Sequence, residues 1–267
     1  MGDRLNGKVV LITGASKGIG QGLAVGLASQ GAVVGVNYKT DHQGAAATVH
    51  RVEEVGSQAE AFQADIGSKQ EFEQLVETVY QRFNRLDILI NNAARTRFGP
   101  LSQVTEEDFN DVVDTILRGP FFGSVAAADK MKESGGGSII NISSIAVRQI
   151  IPFHSSYTMA KGGLESLTRQ LALELAPAVR VNCVAPAATS NERNWTYDPD
   201  FDLKWASVTP SKRVGRVQDY VGPCVFLASD ESEFVTGQIL TVDGGWTLQG
   251  YTPDMSGFDF SKDRQRD

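Results

Sequence analysis

A tyrosine and a lysine four residues apart, Tyr157 and Lys161 in the segment SYTMAKGG, are the first pair in this chain that could do chemistry. On a helix this spacing places both side chains on one face, one turn apart. A phenol has a pKa near ~10, but a cation within about 4–6 Å favours the phenolate and lowers that pKa. The pair therefore predicts a general acid or base that works near neutral pH, although an ordinary helix with a half-buried tyrosine would carry the same pattern.

A second chemical motif, TGASKGIG at 13–20, follows a β-branched run and opens a helical pattern. Gly14, Gly18 and Gly20 let the backbone turn tightly and approach a pyrophosphate at the positive end of a helix. A strand, this loop and a helix in succession form the context in which such a loop binds a dinucleotide. The sequence therefore predicts a dinucleotide site here.

The residues after the second predicted strand bear on which dinucleotide binds. An acidic residue at that strand end selects NAD, whereas a cation accommodates the 2′-phosphate of NADP. The strand ends at Tyr38 and continues into Lys39, and Lys17 of the glycine loop could reach the same phosphate with the Ser16 hydroxyl as a further donor. We therefore predict that NADP is preferred, with NAD left open because Asp41 could serve the ribose.

Composition narrows the class of protein. The 267 residues are 41% apolar and 21% charged, which is typical of a globular protein that buries a full core. A net charge of −7 argues against a nucleic-acid or anionic-membrane partner, and neither a signal peptide nor a membrane span is visible. Cys183 and Cys224 lie in apolar contexts, as packed thiols do. We expect a cytoplasmic protein that binds a small molecule and no metal.

Short β-branched runs alternate with longer helical patterns along the chain. The predicted strands are 8–13, 32–38, 58–64, 86–92, 137–144, 179–185 and 238–242. The predicted helices are 18–30, 42–55, 69–83, 106–131, 155–176 and 219–229. This alternation is typical of βαβ units and predicts one α/β domain, residues 1–250, with a parallel sheet. The aperiodic segment 187–216 is predicted to be a substrate lid, and 251–267 a C-terminal tail that packs on a neighbouring subunit.

Together these motifs resemble the short-chain dehydrogenase/reductase family, including its sugar or polyol dehydrogenases and its ketoacyl reductases. The matching segments, in family order, are TGASKGIG at 13–20, AD at 64–65, NNA at 91–93, ISS at 142–144, YTMAK at 157–161, RVNCVAP at 180–186 and VDGG at 242–245. The resemblance covers about residues 5–248. It implies a single doubly wound, Rossmann-type domain with a seven-stranded parallel sheet, and a homotetramer or homodimer.

The resemblance also implies roles for individual residues. Ser144 would bind the substrate oxygen, Tyr157 would donate or accept the proton, and Lys161 would tune the phenol and bind the nicotinamide ribose. The implied cofactor-binding residues are Gly14, Ser16, Lys17, Gly18, Ile19, Gly20, Tyr38, Lys39, Asp65, Ile66, Asn91, Ala93, Lys161, Pro186 and Thr189.

Four positions depart from the family pattern. Ala94 and Ala187 replace the glycines of the family's NNAG and PG segments, and Asn191 replaces a threonine. Ile116 stands where the family commonly has an active-site asparagine that assists a helix kink and a water-mediated proton path. Because isoleucine has no polar side chain, we expect a slower proton relay but an active site.

Residues near the tyrosine, the serine and the predicted lid are candidates for binding substrate. Three arginines follow the NNA and ISS motifs, and arginine suits carboxylate, phosphate or sulfonate groups, although such arginines also pair with protein carboxylates. Aromatic and amide side chains in the lid suit a polyhydroxylated ligand, although they also suit the lid's own packing. The candidate set is Arg95, Arg97, Arg148, His154, Asn191 and Trp195.

The sequence thus predicts an NAD(P)-dependent oxidoreductase acting on a small polar alcohol or carbonyl, such as a sugar, a polyol or a sugar acid. Three alternatives stay open at this point. One is a ketoacyl-type or other carbonyl reductase, the second is a weakly catalytic NADP-binding relative, and the third is a lyase or dehalogenase derived from the same family.

Overall fold

Apolar runs without alternation, such as VVLI and IINI, form strands that are buried on both faces of one sheet. The computed structural model describes residues 3–250. Within them the strands are β1 (Val9–Ile12), β2 (Val33–Tyr38), β3 (Ala59–Gln63), β4 (Ile88–Asn91), β5 (Gly137–Ile142), β6 (Val179–Pro186) and β7 (Ile239–Val242). All neighbours pair in parallel, in the order β3-β2-β1-β4-β5-β6-β7. The predicted seven-stranded parallel sheet is confirmed.

Helices cover both faces of this sheet, as a doubly wound fold requires. They are α1 (Gly18–Ala28), α2 (His42–Glu54), α3 (Lys69–Phe83), α4 (Glu106–Val113), α5 (Gly119–Glu133), α6 (Ser155–Leu175), α7 (Glu192–Tyr197), α8 (Phe201–Val208) and α9 (Gln218–Ala228). Apolar residues of α1, α2 and α9 form one core with the sheet, and those of α3 to α6 form a second core on the other face.

The strand order reverses beside β1, which pairs with β2 on one side and β4 on the other. In open parallel sheets ligands bind at the carboxyl ends of the strands, next to this reversal. The Asn92 amide donates to the Gly14 carbonyl at 3.0 Å, so the glycine loop after β1 lies beside the segment after β4. The fold therefore places the predicted dinucleotide loop at the switch point of the sheet.

One predicted helix, 106–131, is interrupted in the structure. A π-helical segment, Asp114–Arg118, separates α4 from α5, and Ile116 lies fully buried within it. Gly119 follows this segment and packs against the Ile66 carbonyl so closely that a Cβ atom would clash with it. The widened turn thus forms with an isoleucine at the position where the family has asparagine.

The predicted lid, 187–216, is not irregular, because it contains the short helices α7 and α8. Asp202 at the start of α8 accepts hydrogen bonds from the Ser190 hydroxyl at 2.6 Å and from the Trp195 indole at 3.1 Å. A parallel bridge between Thr189 and Gly215 joins the two ends of the segment. The sequence did not predict α7 and α8, because neither helix buries a residue and their sequences therefore have no apolar periodicity.

None of the helices between residues 3 and 250 has the length and apolar character that crossing a membrane requires. The predicted C-terminal tail, 251–267, lies outside the described residues.

Candidate active site

Helix α6 carries the tyrosine and the lysine, and the loop after β5 carries the serine. Tyr157 and Lys161 lie one turn apart near the start of α6, and Ser144 follows the carboxyl end of β5. The Ser144 hydroxyl lies close enough to the Tyr157 phenol to act on its pKa. The structure therefore brings the three predicted catalytic side chains together at one cavity.

The electrostatics of this triad differ from the sequence-based expectation. Burial raises the pKa of Tyr157 above its ordinary value, against smaller lowering effects from Ser144 and the Arg193 cation. The Lys161 amine donates a hydrogen bond to the Ile142 carbonyl and lies 5.7 Å from the centre of the Tyr157 ring. Desolvation therefore sets the net direction of the Tyr157 pKa in this structure, and the role of Lys161 in tuning the phenol during turnover stays a prediction. At neutral pH Tyr157 is a protonated phenol.

Lys161 is itself strongly perturbed. Its side chain is 2% exposed, and burial lowers the pKa of the amine to about 8. The buried amine is held by the Ile142 carbonyl at the end of β5, two residues before Ser144. A charged amine that is buried in this position lowers the free energy of unfolding.

The glycine loop fits a dinucleotide pyrophosphate. Gly14 and Gly18 have φ angles of 60° and 59°, and a Cβ on Gly14 would lie 2.9 Å from the Ala93 Cα atom. A Cβ on Gly20 would lie 2.5 Å from the Asn92 amide nitrogen. Helix α1 begins after the loop with no side-chain cap and no acidic residue in its first turn, so its N–H groups can bind an anion. Gly14 and Gly20 thus let the loop pack against its neighbours, and Gly18, with no atom near its missing Cβ, leaves open the space that a bound phosphate requires.

The segment after β4 holds the glycine loop in place, but through a different residue than the one predicted. The Asn92 amide donates to the carbonyls of Thr13 and Gly14 at 2.9 and 3.0 Å. Asn91 is buried at 2% exposure, and its amide donates instead to Ser124 and Asn141 inside the protein. The prediction that Asn91 faces the cofactor is corrected, because its side chain ties β4 to β5 and α5. The NNA motif marked this segment correctly, but its second asparagine, Asn92, contacts the glycine loop, whereas the prediction chose the first.

At the corner predicted to bind the 2′-phosphate, one carboxylate forms an ion pair and a second caps a helix. Lys39 contacts the Asp65 carboxylate; partial burial raises the pKa of Asp65, but Lys39 and the Gly67 N–H outweigh it and keep the pKa low. Asp41 caps α2 by accepting from the Gly44 N–H at 3.0 Å, and with the Ser16 hydroxyl this bond lowers its pKa. Asp41 is therefore occupied as a helix cap.

Other predicted cofactor residues form the walls of the groove. Tyr38 and Ile66 are 8% and 4% exposed and belong to the two cores beneath it. Ile19 and Pro186 line the catalytic cavity. The Thr189 hydroxyl donates to the Ala187 carbonyl at 2.9 Å and contacts the Tyr220 hydroxyl at 2.8 Å, so Thr189 offers its backbone at this wall.

The cavity above Tyr157 has a volume of about 420 Å³. Ser144, Tyr157 and Lys161 lie on one side of it, and aromatic side chains from the lid and from the segment after β4 form the other. Those aromatic residues are Phe98, Tyr197, Phe201 and Trp205. Within residues 3–250 no cluster of three or more His, Cys, Asp or Glu side chains could hold a metal ion.

The predicted substrate residues divide into two groups. His154 and Asn191 line the cavity; the His154 ring lies 6.2 Å from the Tyr157 ring, and the Asn191 side chain accepts from the Asn194 N–H at 3.0 Å to cap α7. Trp195 lies outside the cavity because its indole N–H is bound to Asp202.

The three predicted arginines also lie outside the cavity. Arg95 and Arg97 pair with carboxylates of α4, at 3.0 Å and 2.8 Å. Arg148 pairs with the buried Glu165 at 3.1 Å and donates to Thr241 on β7. The expectation that these arginines bind an anionic substrate is corrected, since none of them lines the cavity and each contacts a protein carboxylate instead.

Arg193 was missed by sequence reasoning. It lies on α7, lines the cavity and acts on the pKa of Tyr157. No motif marked it; the only signal was its place within the lid, two residues after Asn191.

Substitution of Ile116 tests whether the isoleucine in the π-helical segment, where the family commonly has asparagine, slows the reaction. Ile116→Asn is expected to preserve or raise kcat, since Ser144, Tyr157 and Lys161 stay in place. The free energy of unfolding is expected to fall by about 1–3 kcal/mol, because an amide enters an apolar core. Steady-state kinetics and denaturant unfolding measure both, with Ile116→Val as the control. A folded variant whose kcat collapses would show that the isoleucine is required where it stands.

Comparison with known proteins agrees with this geometry. A family model described as enoyl-(acyl carrier protein) reductase matches residues 14–247. An uncharacterized oxidoreductase of Methylorubrum extorquens is 39% identical over 246 residues, which cover 91% of this chain and 98% of the relative. A 3-oxoacyl-(acyl-carrier-protein) reductase of Staphylococcus aureus is 34% identical over 239 residues, covering 89% and 97%.

A solved structure is also similar to this chain. The gluconate 5-dehydrogenase of Burkholderia cenocepacia, crystallised in complex with NADP and tartrate, superposes with a TM-score of 0.86 at 33% identity, covering 93% of this chain and 99% of that one. The motifs, the sheet order and these relatives agree, and the predicted family is confirmed. The chain is an oxidoreductase that belongs to the short-chain dehydrogenase/reductase family.

Proposed function

We propose that the chain is an NADP-dependent oxidoreductase that transfers a hydride between nicotinamide and a small polar alcohol or carbonyl, such as a sugar, a polyol or a sugar acid. The observation that carries this proposal is the shared cavity of Ser144, Tyr157 and Lys161 beside the glycine loop. The similarity to a gluconate 5-dehydrogenase that binds NADP and tartrate supports the sugar-acid class.

The mechanism follows from the chain's own residues. When bound, the nicotinamide supplies or accepts the hydride. Ser144 donates a hydrogen bond to the substrate oxygen, where negative charge develops, and Tyr157 transfers a proton to or from that oxygen. Lys161, fixed by the Ile142 carbonyl, holds a positive charge behind the phenol and can bind the nicotinamide ribose.

The raised pKa of Tyr157 has a consequence for direction. A protonated phenol at neutral pH is ready to donate to a developing alkoxide, as carbonyl reduction requires. Alcohol oxidation needs the phenolate, so its rate is expected to rise with pH. We therefore propose that reduction is favoured at neutral pH.

A substrate panel tests the proposed function. NADPH with ketoses, keto acids and simple ketones, and NADP with polyols and sugar acids, are followed by the absorbance of the reduced cofactor. At least one carbonyl is expected to be reduced by the wild-type protein. Calorimetry with NADPH separates a failure of binding from a failure of turnover, and tight NADPH binding without turnover of any member would contradict the proposal.

The NADP preference has its own test in Lys39→Ala. Loss of a charge-assisted hydrogen bond, worth about 1.5–3 kcal/mol, is expected to weaken NADP binding by about 10–100-fold. NAD binding should change less than about threefold, since NAD carries no 2′-phosphate. Calorimetry measures both affinities, and Lys132→Ala on the exposed face of α5 is the control. Equal effects on the two dinucleotides would contradict this role for Lys39.

A ketoacyl-type carbonyl reductase is the second candidate. Its support is the similarity to the Staphylococcus aureus 3-oxoacyl reductase together with the aromatic wall of the cavity. Turnover of an acetoacetyl thioester in preference to sugars and sugar acids would favour it. The weakly catalytic alternative rests on Ile116 and Ala187, and the proximity of Ser144, Tyr157 and Lys161 argues against it.

The assembly and location stay predictions. We propose a homotetramer or homodimer, supported by the exposed apolar side chains Phe109, Phe121 and Val125 on α4 and α5. Light scattering on the purified protein measures the mass directly. The cytoplasmic location rests on the sequence-based expectation.

A further inference from the structure

We propose that Arg193 on α7 anchors an anionic group of the substrate, so that the substrate is a hydroxy or keto acid whose carboxylate lies at Arg193 while its reacting oxygen lies at Ser144 and Tyr157. This inference rests on the proposed function and names the substrate class within the same cavity.

The charges that line the cavity favour an anion. In the described part of the chain, its lining contains two side chains that carry a full positive charge, Lys161 and Arg193, and no Asp or Glu. The lining thus has the opposite sign to the net charge of the whole chain, which is −7. Lys161 is already bound to the Ile142 carbonyl. Because Lys161 is also buried and is assigned to the phenol and the nicotinamide ribose, Arg193 is the cation that remains for an anionic group of the substrate.

The Arg193 guanidinium is positioned by aromatic rings. Its central carbon lies 5.3 Å from the centre of the Phe98 ring and 6.0 Å from that of Tyr197. Cation–π contact uses the face of the guanidinium and leaves its N–H edge for a planar acceptor. Phe98 also packs on His154 at 4.1 Å, and His154 lies against Tyr157, so a continuous aromatic row joins the proposed anchor to the catalytic phenol.

The arginines at the neighbouring surface provide the contrast. Arg95, Arg97 and Arg148 each contact a protein carboxylate. Arg193 has no ion pair and donates no hydrogen bond to any residue between 3 and 250. An arginine that is held by stacking, lines a cavity and has no protein carboxylate partner is suited to bind a carboxylate of the ligand.

The test removes the charge while keeping the length of the side chain. Arg193→Met and the wild type are compared on pairs of substrates that differ in charge: gluconate and sorbitol for oxidation, acetoacetate and its ethyl ester for reduction. For the charged member, kcat/KM is expected to fall about 10–100-fold, mainly through KM, as loss of a charge-assisted bidentate contact implies. For the neutral member the change should stay within about threefold, since that contact is absent.

Two further variants sharpen the result. Arg193→Lys keeps the charge without the planar fork and is expected to recover part of the loss. Arg97→Met removes a paired arginine outside the cavity and is expected to leave both members of each pair unchanged. Equal losses for charged and neutral substrates, or no loss for either, would overturn the anchor.

A binding measurement separates this inference from the proposed function. If the wild-type protein turns over none of the four compounds, the proposed function has failed for them, and the anchor is tested by calorimetry of gluconate with each protein in the presence of NADPH. Weaker binding to Arg193→Met than to wild type would support the anchor. Equal binding, or no binding to wild type, would refute it.

Discussion

Tyr157→Phe is expected to lower kcat for carbonyl reduction by about a thousandfold, the middle of the range for loss of a general acid. The substitution removes one hydroxyl and keeps the ring that packs beside His154. Ser144 still donates its hydrogen bond, so substrate binding should persist and KM should change little. NADPH binding is expected to stay within about twofold of wild type, because the phenol hydroxyl is not part of the glycine-loop site.

Steady-state kinetics and calorimetry measure the two properties on one protein. Tyr80→Phe is the matched control, because it removes a tyrosine hydroxyl on α3, far in sequence from the cavity and absent from its lining. A Tyr157→Phe variant that keeps more than about a tenth of wild-type kcat would be incompatible with general acid catalysis by this residue.

Lys161→Met is expected to have opposite effects on activity and stability. Activity should fall by about 100-fold or more, because the positive charge behind Tyr157 is lost. The buried amine has a pKa of about 8 in the folded protein, against 10.5 ordinarily. That difference corresponds to roughly 3 kcal/mol of lost stability at neutral pH. Losing the hydrogen bond to the Ile142 carbonyl offsets about 1–2 kcal/mol, so we expect a net gain of about 1–2 kcal/mol.

The difference in stability between the wild type and Lys161→Met should depend on pH, because the pKa of Lys161 is lower in the folded state than in the unfolded state. Below about pH 8 both the folded and the unfolded wild type carry the charged amine, so the destabilisation is fully present. Between about pH 8 and 10.5 only the unfolded state stays protonated, and wild-type stability relative to the variant rises with pH. The difference in Tm, measured by calorimetry from neutral to alkaline pH, should therefore favour the variant at pH 7 and shrink above pH 8. A wild type that is more stable than the variant at pH 7 would contradict the burial argument.

Much of the fold could be predicted because its inner strands are buried on both faces and its main helices have one apolar face. The exceptions have physical causes. α7 and α8 bury no residue and so carry no apolar period. The π-helical turn at Asp114–Arg118 depends on close packing of Gly119 against the Ile66 carbonyl, a tertiary contact between distant segments.

The candidate site could be predicted in part. The glycine loop and the Tyr157–Lys161 pair are each defined by a short segment of sequence. The proximity of Tyr157 to Lys161 follows from the geometry of one helical turn. The charged groups do not follow from spacing, because partner choice depends on the folded chain. Arg97 finds Asp108, eleven residues away, whereas Arg193 stacks on Phe98, which is remote in sequence. The phenol pKa likewise depends on burial, which no local motif reports.

The most direct test of the claim that Tyr157 supplies the proton is the pH dependence of single-turnover NADPH oxidation by the best carbonyl substrate of the panel. A protonated, buried phenol predicts a rate constant that is level through neutral pH and declines only on the alkaline side, at or above the pKa of about 8 of its neighbour Lys161. Tyr157→Phe should lower the rate constant about a thousandfold and remove this pH dependence. A wild-type rate that already declines as the pH rises through 7 would show an ionised phenol and would contradict this account.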